Sequence, residues 1–103
     1  MHERKALMED LSDGFIALPG GYGTLEEFCE MVTWRQLQIH KKPCGLLNVK
    51  GFFDAFINFV DHQVQEGFVS VENRSLILIS DRPADLLDLL EKAWILRQVL
   101  SIH

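Results

Sequence analysis

The order of apolar segments along this chain predicts an α/β fold, a half of a doubly wound sheet: helix, strand, helix, strand, helix, strand, helix, with parallel strands joined by right-handed crossovers. Two further observations agree. Each strand segment is a short continuous apolar run, the type buried on both faces of a parallel sheet. The first of them leads into a burst of glycines and an acidic helix start, DGFIALPGGYGTLEE over residues 13 to 27, and open α/β sheets bind ligands at such strand ends.

The first helix is expected over about residues 2 to 12, burying Leu7, Met8 and Leu11, with Asp13-Gly14 ending it. Strands are expected near 14 to 18, 44 to 49 and 75 to 80. Between the first two, a helix runs from Thr24 to about Ile39 and presents Leu25, Phe28, Met31 and Val32, until Pro43 prevents its continuation. After Gly51, Phe53, Phe56, Ile57, Val60 and Val64 recur at helical spacing, and Gly67 suits the C-terminal cap. These aromatics read as core. Pro83 fits the first turn of a last helix carrying Leu86, Leu87, Leu90 and Trp94 and continuing into Ile95 to Ile102.

Composition narrows the function classes. The 103 residues, 48% of them hydrophobic, supply enough apolar surface for one small domain. No apolar run approaches the ~20 residues needed to span a bilayer, and no signal peptide is visible, so a cytoplasmic protein without a membrane partner is expected. A net charge of −5 argues against nucleic acid as a partner, because that binding needs a basic face. Cys29 and Cys44 lack zinc-ligand spacing and read as reduced core thiols. His2, His40, His62 and His103 are too scattered for a metal cluster and read as mostly surface residues.

The glycine segment carries the chemistry. Phe15 to Leu18 forms the strand, Pro19 ends it, and Gly20, Gly21 and Gly23 let the backbone turn where a Cβ would clash. Such a turn points unpaired N–H groups at the positive end of a helix, where a phosphate is the expected guest. The Gly-Lys-Ser/Thr of a Walker A loop is absent, and Glu26 stands where a dinucleotide fingerprint needs a small residue. Thr24-Leu25-Glu26-Glu27 is equally a Ser/Thr-x-x-Glu capping box, which makes a plain strand-to-helix connection the competing reading.

The larger pattern separates the two. Met1-His2-Glu3-Arg4-Lys5 matches M-x-x-R-K, and Pro19 to Glu27 matches P-G-G-x-G-T-x-x-E. Together they closely resemble the Lonely Guy family of cytokinin-activating phosphoribohydrolases, often labelled "lysine decarboxylase-like". The similarity continues through Thr33-Trp34, Ile39 to Pro43, Gly45 to Asn48 and Glu66-Gly67-Phe68, covering about residues 1 to 94. It implies a three-layer Rossmann-like sheet, of which this chain is the carboxyl-terminal half of the family fold, one partial domain over residues 1 to 103. The implied reaction is hydrolysis of the N-glycosidic bond of a nucleoside 5′-monophosphate, a cytokinin riboside monophosphate or AMP, to free base and ribose 5-phosphate. Neither a metal nor an organic cofactor is implied.

Carried over by motif, Arg4 and Glu27 are the catalytic pair. Lys5, Gly20, Gly21, Tyr22, Gly23, Thr24 and Thr33 are the substrate- and phosphate-binding residues. Glu26 and Glu27 diverge by about 100° on a helix and cannot both face a substrate, and motif register selects Glu27. Lysine decarboxylation finds no support, since no Schiff-base lysine with a pyridine-nitrogen partner is visible. A non-catalytic nucleotide-binding module and an oligomeric remnant are the alternatives to the enzyme. Two exposed sheet edges and a surplus of apolar helix residues predict a homo-oligomer, at least a dimer.

Overall fold

The computed structural model describes residues 8–11 and 14–102. Its sheet has the order β1-β2-β3-β4, formed by β1 Met8–Leu11, β2 Gly14–Ala17, β3 Cys44–Leu47 and β4 Ile77–Ser80. β2, β3 and β4 run parallel, with Ala17 opposite Leu46 and Leu46 opposite Ile79. The three expected strands are therefore present, a residue or two shorter than expected. Their connections are α1 Tyr22–Gln36 between β2 and β3, and then α2 Asp54–Gln65 and α3 Val71–Arg74 between β3 and β4. The last described helix is α4 Pro83–Ile102, which opens on proline.

The strands' alternation assigns the layers. Ala17, Cys44, Leu46 and Ile77 face α1 and α2, where they pack with Phe28, Met31, Phe53 and Val60. Ile16 and Leu47 face the opposite way and pack with Leu86 and Leu90 of α4. Helices thus cover both sides, as a parallel sheet requires. Gly45 lies in the middle of this stack. A Cβ there would stand 2.9 Å from Leu86 Cδ1, so glycine lets α4 approach the sheet.

Several expectations are corrected. The part of the expected first helix that is described, Met8–Leu11, is a strand paired antiparallel to β2, Met8 opposite Ala17 and Leu11 opposite Gly14. Gly14 opens a strand, as the expected range of 14 to 18 has it, and what precedes it at Met8–Leu11 is a strand rather than a helix. Leu7, Met8 and Leu11 have helical spacing, but short helices are marginal on their own, and the otherwise unpaired edge of β2 offers residues 8 to 11 a ladder of hydrogen bonds instead. Ser75, expected in a strand, follows α3 and donates its hydroxyl to Glu72 C=O. Leu87 points to solvent, because the flanking Leu86 and Leu90 take the face turned to the sheet.

The helix ends are closed by the backbone. At α2, Phe68 N–H reaches Gln63 C=O and Gly67 N–H reaches Val64 C=O, with Gly67 at φ +85°. This is the Schellman pattern with the expected glycine. α1 ends the same way, through Ile39 to Trp34 and Gln38 to Arg35, but the left-handed position is held by Gln38 at φ 64°. Among the described residues, no helix is long and apolar enough to cross a membrane.

Candidate phosphate-binding turn and the residues around it

β2 delivers the chain to Leu18 and Pro19 at the carboxyl end of the parallel sheet, and α1 leaves from Gly21, its N-cap. The first intrahelical bond is Leu25 N–H to Gly21 C=O at 3.2 Å. The N–H groups of Tyr22, Gly23 and Thr24 precede it and have no partner within the helix, by the geometry of any helix start. They crown a helix of 15 residues, whose dipole is positive at this end.

Thr24 does not cap the helix. The N-cap is Gly21, with no side-chain cap bond, and Thr24 occupies the third helical position, buried at 1% exposure. Its Oγ1 has no hydrogen-bond partner. The expected capping box is absent because the helix begins three residues earlier than the box requires. Gly20 explains where the hydroxyl went: a Cβ on Gly20 would overlap Thr24 Oγ1 and meet Thr24 Cβ at 3.0 Å. The glycine is needed for close approach, not for a left-handed backbone, since the positive-φ glycines among the described residues are Gly51 and Gly67.

Tyr22 stands 93% exposed at the helix start. Glu27 follows Gly23 by one helical turn and Thr24 by three residues, which puts it on the side of α1 nearest the turn. It is half-buried while Glu26 is exposed. Thr33 is not brought to the turn. It lies about 13 Å further along the axis and on the face opposite Thr24, donating Oγ1 to Cys29 C=O at 2.7 Å. There it lines a groove of about 220 Å³ with Phe28, Val32, Phe56, Phe59 and Val60. Arg4 and Lys5 lie outside the described residues.

Two polar arrangements were not anticipated from the sequence. At the carboxyl end of β3, Asn48 accepts Phe53 N–H at 2.7 Å and donates to Asp54 at 2.9 Å, holding a turn in which Lys50 has φ 50° and Gly51 φ 72°. The Asn-Val-Lys-Gly segment is a turn signal that could have found it. The second is His40, half-buried and bonded through both ring nitrogens, to Met31 C=O and to Lys42 N–H; nothing in its spacing marks it. Cys29 is exposed rather than buried. Cys44 is buried, and desolvation pushes its thiol up to about 12, against an opposing pull from the Arg35 guanidinium. Among the described residues no three His, Cys, Asp or Glu side chains are grouped to hold a metal ion.

The comparisons with known proteins agree with the motifs. The family model described as "Possible lysine decarboxylase" matches residues 1–90. The chain is similar to the cytokinin riboside 5'-monophosphate phosphoribohydrolase LOG of Oryza sativa subsp. japonica, 55% identical over 92 residues, which are 89% of this chain and 38% of that protein. It is similar also to the cytokinin riboside 5'-monophosphate phosphoribohydrolase LOG2 of Arabidopsis thaliana, 55% identical over 92 residues, 89% of this chain and 43% of that protein. The chain thus spans about two fifths of the length of the curated relatives it matches. With a glycine turn at the sheet's ligand end, a carboxylate one turn along the helix and a family match over most of its length, the chain belongs to the Lonely Guy family, which that model describes.

Proposed function

We propose that this chain supplies the phosphate-binding turn and catalytic carboxylate of a nucleoside 5′-monophosphate phosphoribohydrolase, which splits the N-glycosidic bond to give free base and ribose 5-phosphate. The observation that carries the reading is the turn itself, where first-turn amides with no partner within the helix and the buried, unpartnered Thr24 hydroxyl sit within one helical turn of Glu27. The relatives' names support the substrate class. A phosphate at Gly20 to Thr24 accepts from the first-turn amides. With the phosphate fixed, the ribose lies toward Glu27. As the base departs, positive charge develops on the sugar, and the Glu27 carboxylate stabilises it and orients the attacking water. Arg4, by motif, offers a planar fork that fixes substrate or Glu27, and Lys5 adds a cation for the phosphate.

The chain associates at least as a dimer in this reading. Leu37, Ile39, Phe59 and Phe68 are all more than half exposed, and apolar surface of that kind is ordinarily covered in solution. The test is incubation of the purified chain with AMP and with a cytokinin riboside monophosphate, followed by separation of free base. Glu27→Gln keeps shape and removes charge, so hydrolysis falls about 10²-fold or more while AMP still binds. Parent-rate hydrolysis by Glu27→Gln would remove Glu27 from its role. A parent that binds AMP in calorimetry without releasing adenine would replace the enzyme with a nucleotide-binding module.

A further inference from the structure

We infer that His40 is a positioning residue for this reaction, a clasp that closes the far end of the β2–turn–α1 unit and so sets how the turn and Glu27 face the substrate; the inference rests on the functional reading above. β2 and α1 are two arms joined at the glycine turn. The core holds them face to face, Ala17 of β2 with Phe28 and Met31 of α1, but apolar packing is non-directional, and a polar tie away from the junction fixes their register.

His40 does this with three contacts. Its Nδ1 lies 3.1 Å from Lys42 N. A backbone N–H can only donate, so Nδ1 is the acceptor, the ring proton resides on Nε2, and Nε2 donates to Met31 C=O at 2.9 Å. The ring also lies against Phe15 of β2, centroids 5.5 Å apart. The segment it belongs to is bonded to the same strand residue, through Phe15 N–H to Pro43 C=O at 2.9 Å. Residues 40 to 43 therefore hold both arms at once.

Helix closure does not account for the arrangement. α1 is already finished by Leu37, Gln38 and Ile39, whose N–H groups take Thr33, Arg35 and Trp34 carbonyls. The bond from His40 reaches further back, to a carbonyl that Arg35 N–H already serves within the helix. Met31 is one turn past Glu27, and its N–H holds the Glu27 carbonyl in the helical ladder. Met31 is about 10 Å along the axis from Thr24. Slippage of the helix at the clasp is thus passed straight to Glu27 and the turn, where about 1 Å of misplacement can cost 10²-fold in rate.

The experiment uses the whole chain with His40→Gln and His40→Leu. Glutamine offers an N–H for Met31 C=O and a carbonyl for Lys42 N–H, whereas leucine retains bulk against Phe15 and no polar contact. Hydrolysis of AMP by His40→Leu is expected to fall about 10-fold in kcat with KM changed less than about 3-fold, and His40→Gln to recover most of it. In parallel, hydrogen exchange at the Lys42 amide and over the first two turns of α1 should rise in His40→Leu and return in His40→Gln. Parent kcat in His40→Leu, or a glutamine variant no better than leucine, overturns the inference. If the parent chain releases no adenine, the functional reading fails, and the clasp is judged on exchange: unchanged protection in His40→Leu overturns it. Should His40→Leu not fold, scalar coupling between Lys42 N and His40 Nδ1 in the parent decides, and its absence overturns the clasp.

Discussion

Gly20 and Thr24 are coupled through a few tenths of a nanometre of space. A methyl group on Gly20 would overlap the Thr24 hydroxyl, which is buried and cannot swing away. Gly20→Ala is therefore expected to cost about 1–3 kcal/mol and to weaken AMP binding, read from the urea midpoint and from calorimetry. Thr24→Ala in the same chain should restore part of the stability. Cys44 makes a second test at this scale. Its thiol is raised by burial from 9.0 to about 12, so above the unfolded value the unfolded chain loses a proton that the folded chain keeps. Stability is complete below pH 9 and falls as pH climbs toward 12, by at most about 1.4 kcal/mol per unit. Urea midpoints measured on either side of pH 9 should diverge, and Cys44→Ala should remove that component. At neutral pH a thiol reagent should modify the exposed Cys29 and spare Cys44 until the chain unfolds.

At the scale of elements, the two Schellman endings differ by one residue type. Gly67 adopts φ +85° at no steric cost, but Gln38 holds φ 64° with a Cβ, which costs roughly 1–2 kcal/mol in the left-handed region. Gln38→Gly relieves that strain and adds unfolded-state entropy, for a net gain of about 0.5–1 kcal/mol. Thermal melts should show Tm rising by several degrees, and a lower Tm would mean that Gln38 makes an offsetting contact. The same substitution on the exposed, right-handed Gln36 should lower stability. Ser70 illustrates a side-chain ending: its hydroxyl accepts Asn73 N–H at 3.0 Å and starts the single turn of α3. Arg74 then joins α3 to Asp61 of α2 at 2.6 Å, a partly exposed pair worth about 1 kcal/mol or less.

Across the whole molecule, the sheet is covered by helices on both faces, while the surface around α1 and α2 retains large apolar side chains. Association is the expected consequence, and light scattering at tens of micromolar should give at least twice the 11.8 kDa chain mass. A strictly monomeric mass without exposed-surface dye binding would contradict it. Charged substitutions at Phe59 and Phe68, 58% and 84% exposed, should shift the mass toward the monomer without unfolding the chain.

The sequence by itself determined the parallel α/β class, the three parallel strands and the placing of the glycine turn at their carboxyl ends, because continuous apolar runs, helical spacing and Gly or Pro stops are local signals. It also determined the family, through two motifs in order, and preferred Glu27 to Glu26 by register alone. What the tertiary structure decided involved competition between distant groups. Residues 8 to 11 pair with the open edge of β2, an edge that exists only once the sheet forms. Thr24 gives up its cap to a helix that starts at Tyr22, and its hydroxyl occupies space that is open only because Gly20 has no Cβ. Thr33 turns into the groove instead of toward the turn, fixed by the rotation of α1 on the sheet. His40, read as a surface residue, becomes half-buried by folding against Phe15 and Met31, residues 25 and 9 positions away, and no periodicity along the chain encodes that meeting.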